Sequence, residues 1–199
     1  MTTNRTQQKE NTRVQILRAA QYLFARNGFD ETRTIEIASL VGVSHGTIFA
    51  HFESKAGILR SMIFDRCKDW VETLERSDVN GETAIDCLKA LLRQLWEQHQ
   101  KDTSLTRIYQ SHAWVWDEID EAEFRDLVDR VKGKAQIIIS AGIKAKEIRR
   151  EIDMDRVLDM LEASYFEALR RAKFDADSED GGLAEVEATM QYLLQPAGE

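Results

Sequence analysis

The chain has 199 residues, 27 Lys and Arg against 35 Asp and Glu, a formal net charge of −8, and only one proline. That length can bury a substantial core, as one domain or as a small domain beside a larger one. No apolar run approaches the ~20 residues that span a bilayer, the first nine residues lack the apolar stretch of a secretory signal, and Cys67 and Cys87 are too few and too far apart for a disulfide framework. A chain without membrane contact, working in a reducing cytoplasm, is the expectation.

The charge is not evenly spread. Residues 1–62 hold eight basic and five acidic side chains, a net of +3, while the remainder holds 19 basic and 30 acidic, a net of −11. A basic head on an acidic body is the distribution expected of a nucleic-acid-binding chain whose total charge is negative.

Residues 1–9 read as a flexible polar arm, with Arg5 and Lys9 able to reach a phosphate or a minor groove. A first helix is predicted from about Glu10 to Asn27, with Ile16, Leu17, Ala20, Leu23 and Phe24 on one face. Gly28 stops it, and Phe29 can fold back onto it.

The next stretch, from Thr34 to Phe52, reads as helix, tight turn, helix. Ile37, Ala38 and Val41 form a small apolar stripe. Gly42 supplies a left-handed helix stop, Val43 plugs the joint, and Ser44 N-caps the second helix. In that helix Ile48 and Phe52 turn inward, and Gly46, Thr47 and Ala50 face the other way with Phe49 and His51 on the flanks. A helix with a small, polar outer face, braced across a neighbour by a glycine turn, suits a DNA major groove.

Ser54 N-caps a long helix from Lys55 to about Arg76, followed by a break at Ser77–Gly81. Apolar periodicity then predicts helices at about 84–101, from 103 or 104 to 116, at 120–146, at about 153–173 and at 182–195. An acidic, glycine-ended loop separates the last two. The fold class is all-α. A three-helix DNA-binding domain at 10–56, with its helix-turn-helix at about 33–52, precedes a six-helix domain at 57–199, nine helices in all.

The motifs of the head carry a family resemblance. Ile16-Leu-Arg-Ala-Ala, Gly28-Phe-Asp, Ile37-Ala, Gly42-Val-Ser-His-Gly-Thr-Ile-Phe-Ala-His-Phe52 and Ser54-Lys resemble the DNA-binding domain of TetR-family transcriptional regulators over residues 10–60. The resemblance implies that His45, Gly46, Thr47, Ala50 and His51 face DNA. His45 would read base edges, Ala50 or the Thr47 methyl would touch a thymine methyl, and Thr47 and His51 would contact phosphates. Lys55 would meet a phosphate at its helix start.

Two positions depart from the family pattern. Phe49 stands where a Tyr is common and cannot donate to a phosphate. Arg33 stands where Ser or Thr would open a capping box with Glu36, so the second helix begins one residue early or late, or Arg33 reaches a phosphate. Arg33, Thr34, Ser44, His45, Gly46, Thr47, Phe49, Ala50, His51 and Lys55 form the candidate DNA-binding set.

The resemblance further implies an effector pocket among the middle helices and a dimer through the last two. The body's aromatic and polar-tipped groups suit a largely apolar pocket, and Trp70, Trp96, Tyr109, His112, Trp116 and Phe166 are its candidates. Leu158, Leu161, Tyr165, Leu169, Val186 and Met190 are candidates for the homodimer interface. Dimerisation has its own rationale, since two-fold operators present half-sites about 34–36 Å apart.

The implied function is a repressor that a small apolar or amphipathic effector releases from a palindromic, double-stranded operator. An activator or a global DNA-organising protein with the same head is the alternative. No catalytic constellation, cofactor motif or metal set is expected. His45 and His51 are six residues apart, and His99 and His112 lack partners at helical spacing.

Overall fold

A computed structural model of the protein describes residues 4–101, 118–172 and 181–196. These residues fold into eight helices and contain no strand: α1 (Asn4–Asn27), α2 (Thr34–Val41), α3 (His45–His51), α4 (Lys55–Arg76), α5 (Ala84–Lys101), α6 (Glu118–Ala145), α7 (Met154–Ala172) and α8 (Gly181–Leu194). The helix expected around Tyr109, His112 and Trp116 lies outside the described residues. None of these helices is long and apolar enough to cross a membrane.

The chain forms two compact units, which divide inside α4 between Asp69 and Trp70. The sequence division at 56/57 falls at the start of that helix instead. A continuous helix carries no break in its pattern to mark where its neighbours change.

In the first unit, α1 starts at Asn4, so the segment read as a flexible arm is helical from that residue on. Residues 4–9 are exposed all round and show no apolar stripe, which is why periodicity misses them. Good helix formers carry this stretch, and Gln7 Nε2 donates to Asn11 Oδ1 at 3.2 Å across one turn.

The unit closes on Ile16, Ile37, Ile48 and Ile58, each with no exposed surface, together with Ala20, Phe24 and Phe52. Gly28 adopts φ +88° and ends α1, its N–H donating to Phe24 O at 3.0 Å. Phe29 then folds back edge-on to Phe24, with ring centres 5.2 Å apart. Thr32 is buried, and its hydroxyl donates to Gly28 O at 2.7 Å. Arg13 pairs with Asp65 at 2.9 Å, tying α1 to α4.

The second unit holds the remainder of α4 with α5 to α8. One core cluster gathers Leu88, Ile139, Ile148, Val157, Leu158, Leu161, Met190 and Leu194, and another gathers Trp96, Tyr165, Ala168, Leu169 and Val186. Asp153 opens α7 by accepting from Arg156 N at 3.1 Å. Glu147 reaches across the fold to accept from Ala84 N at 2.6 Å, at the start of α5, where a carboxylate is favoured by the helix dipole. Lys134 of α6 donates to the carbonyls of Leu74 and Ser77, satisfying the end of α4.

The six candidate interface residues are all inside this unit. Leu158, Leu161, Tyr165, Leu169, Val186 and Met190 are each 9% exposed or less, so they pack the core of this unit. An apolar stripe at helical spacing tells that a face is covered, not which chain covers it. The outward faces of α7 and α8 carry Met160, Ala163, Ala184, Ala188 and Tyr192 instead.

Candidate functional site

The turn between α2 and α3 is built by Gly42, at φ +76° and ψ +30°. Its N–H donates to Ser39 O at 3.2 Å and that of Val43 to Ala38 O at 3.0 Å, which satisfies carbonyls left over at the end of α2. A side chain at position 42 would be strained by this backbone even though no atom crowds it. Ser44 then N-caps α3, its Oγ accepting from Thr47 N at 3.1 Å.

At the other end of α2, Arg33 is the N-cap. A guanidinium has no acceptor, so only half of a capping box forms there. The Glu36 carboxylate accepts from Arg33 N at 2.8 Å, and the arginine side chain is exposed.

The candidate DNA-facing residues form one surface on α3. Ser44, His45, Gly46, Phe49 and Ala50 are exposed, Thr47 and His51 are half-buried, and Ile48 beneath them is fully buried. Much of the polar capacity of this surface is already used within the protein. His45 Nε2 lies 2.8 Å from the Thr34 hydroxyl at the start of α2. The Thr47 hydroxyl lies 2.8 Å from that of Ser44. The His45 ring also meets Phe49 edge-on, with centres 4.9 Å apart. Burial, and then the charges of Lys9 and Arg13, hold His51 below the ordinary histidine range.

Lys55 is clamped rather than free. Its Nζ donates to Phe29 O at 2.7 Å and Asp30 O at 3.0 Å, and lies 4.4 Å from the centre of the Phe29 ring. An ammonium has three hydrogens, so one remains for an outside acceptor. Sequence reasoning missed this internal role. A lysine at a helix start shows no sign of the loop carbonyls, 25 and 26 residues earlier, that the fold brings beneath it.

In the second unit, three pocket candidates join a run of aromatic rings. Trp70 meets His99 with centres 5.0 Å apart, His99 meets Tyr165 at 5.6 Å, and Tyr165 meets both Trp96 at 5.9 Å and Phe166 at 6.0 Å. Phe124 stands 6.4 Å from Phe166. Tyr109, His112 and Trp116 lie outside the described residues. His99 and Phe124 are members that sequence reading left out. The three-residue step from Trp96 to His99, which keeps both on one helix face, was the available signal.

Tyr165 Oη is 2.9 Å from His99 Nδ1, and burial raises its proton affinity well above the ordinary range. Burial also lowers His99. The same cause pushes the Cys67 thiol up to about 11, which disfavours its thiolate.

Residues 16–62 match the family model described as bacterial regulatory proteins, tetR family. The fatty acid metabolism regulator protein of Bacillus subtilis is 26% identical over 158 residues, spanning 77% of this chain and 79% of that relative. The crystal structure of the transcriptional regulator FadR from Bacillus subtilis, in complex with stearoyl-CoA, is similar with a TM-score of 0.71 and 20% identity, covering 93% of this chain and 99% of that one. The TetR-family transcriptional repressor FadR of Thermus thermophilus, in complex with lauroyl-CoA, is similar with a TM-score of 0.65 and 25% identity, covering 91% and 92%.

Proposed function

We propose that the chain is a DNA-binding transcriptional regulator of the TetR type, the family whose model its residues 16–62 match, and that it is a homodimeric repressor released from a palindromic operator by a fatty acyl thioester. The observation that carries the DNA-binding part is the exposed face of α3. His45, Gly46, Phe49 and Ala50 stand outward over the fully buried Ile48 on a helix held by Gly42 and Ser44. His51 and the third N–H of Lys55 are suited to backbone phosphates, which fix register without reading sequence.

A dimer supplies two such helices to successive major grooves. Its interface is the outward face of α7 and α8. Tyr192 there is 81% exposed and Met160 47%, with the small Ala163, Ala184 and Ala188 allowing close helix approach.

The effector class rests on two supports. The Bacillus subtilis and Thermus thermophilus FadR proteins are in complex with acyl-CoA molecules, and the second unit of this chain carries an apolar aromatic run from Trp70 to Phe166. The effector acts only if it binds one conformation of the body more tightly than the other.

Fluorescence anisotropy on duplexes selected from genomic fragments tests this reading. Stearoyl-CoA is expected to release the protein, whereas free coenzyme A is not. Equal release by both, or by neither, would refute the effector class. A few strong palindromic sites would favour local repression, and many weak sites an organising role.

A further inference from the structure

Two of the three polar side chains of α3, His45 and Thr47, have hydrogen-bond partners inside the head, and part of its exposed surface is apolar. His45 Nε2, the nitrogen furthest from the backbone, is held by Thr34 at 2.8 Å. The hydroxyls of Thr47 and Ser44 are engaged with each other, and Ser44 also caps the helix. Between these tied groups stand Gly46 and Ala50, both exposed, and Phe49, which is 47% exposed.

Phe49 is the one large side chain of α3 that keeps an apolar surface outside. Its orientation is supported by the edge contact with His45, itself fastened to α2. An aromatic ring held in this way loses little freedom on contact. It has no donor or acceptor for a base edge, and in a major groove the only apolar group a base pair offers is the C5-methyl of thymine.

We propose that the half-site is read chiefly by apolar contact, with Phe49 and Ala50 covering thymine 5-methyl groups and with Thr34 and His45 acting as positioning residues for Phe49. This rests on the DNA-binding reading of α3 and specifies what that helix recognises. Binding therefore favours thymine over cytosine at one or two steps of each half-site. The favour comes from the methyl group, not from a hydrogen-bond pattern.

Replacing thymine by deoxyuridine removes that methyl and leaves base pairing intact, so it tests the idea directly. The probe is the duplex that the full-length protein selects from a random-sequence library, remade with deoxyuridine at each thymine in turn. One or two positions per half-site are expected to weaken binding roughly three- to tenfold, the worth of one buried methyl. Phe49→Ala is expected to bind thymine and deoxyuridine duplexes within about twofold of each other, with its helical content and salt dependence unchanged. Thr34→Val is expected to narrow the same thymine-to-deoxyuridine ratio without altering the salt slope.

Less than a twofold effect of deoxyuridine at every position would overturn the proposal. So would a thymine preference that survives Phe49→Ala. A large loss with 7-deazapurines and none with deoxyuridine would assign readout to His45 instead. Failure to select any duplex would be a different result, removing the DNA-binding reading together with this one.

Discussion

Tyr165 and His99 share a single hydrogen. His99 Nδ1 lies 2.9 Å from the Tyr165 hydroxyl and also 2.9 Å from the Leu95 carbonyl. A carbonyl only accepts, so the hydrogen is on Nδ1, and that N–H donates to both oxygens. Tyr165 is thus an acceptor here. Removing its hydroxyl leaves the N–H bonded to Leu95, so Tyr165→Phe should cost under about 1 kcal/mol. Tyr165→Ala removes a buried ring from the aromatic run and should cost about 3–5 kcal/mol. Denaturant titration of the two variants checks the ratio.

The same histidine sets a pH dependence. Burial lowers its folded-state pKa below the ordinary 6.5, and the Leu95 bond offsets this only in part. As pH falls below 6.5 the unfolded chain takes up a proton that the folded chain refuses, so stability falls, by at most about 1.4 kcal/mol per pH unit. The contribution is fully present above 6.5. Denaturant titrations from pH 7.5 to 5 should therefore show a shallower decline in His99→Gln than in the parent. His51, also lowered, titrates in both proteins and cancels in the difference.

Lys55 serves the head twice. Lys55→Met keeps the aliphatic stem but loses the bonds to Phe29 and Asp30 and the contact with the Phe29 ring. A loss of about 1–2 kcal/mol is expected, seen as faster amide exchange in the turn after α1. If its third hydrogen meets a phosphate, the salt slope of DNA binding should also fall by about one. Exchange and slope separate the two roles.

Two glycines of α6 predict opposite outcomes. A Cβ on Gly142 would lie 2.5 Å from Ala84 Cβ and 2.7 Å from Ile148 Cδ1, whereas one on Gly133 would meet nothing within 4 Å. Gly142→Ala should lose about 1–3 kcal/mol through overpacking, lowering Tm by several degrees. Gly133→Ala should gain about 0.5–1 kcal/mol because alanine is the better helix former. Calorimetry of the two variants side by side is enough.

What was readable in the sequence follows how local its cause is. Gly42, Ser44 and the inward pair Ile48 and Phe52 act within a few residues, and their spacing already specifies the turn and the buried face. Half of the helix cap at Glu36 was visible for the same reason, while its arginine partner disguised the start of α2. The polar first turns of α1 were missed because nothing apolar marks them. Lys55 against Phe29, Glu147 against Ala84, and His99 against Tyr165 bridge 26, 63 and 66 residues. No local pattern announces such pairs. Leu158 and Met190 likewise look the same in sequence whichever chain covers them, and here they are buried within this one.

The cap at the start of α2 gives position 33 an unusual freedom to evolve. Glu36 holds the Arg33 backbone N–H, and the arginine side chain takes no part in ending or starting the helix. Lysine, glutamine or serine could stand there with little effect on folding. Lineages descended from this protein could thus adjust their attraction to a polyanion at residue 33 while the helix itself stays unchanged.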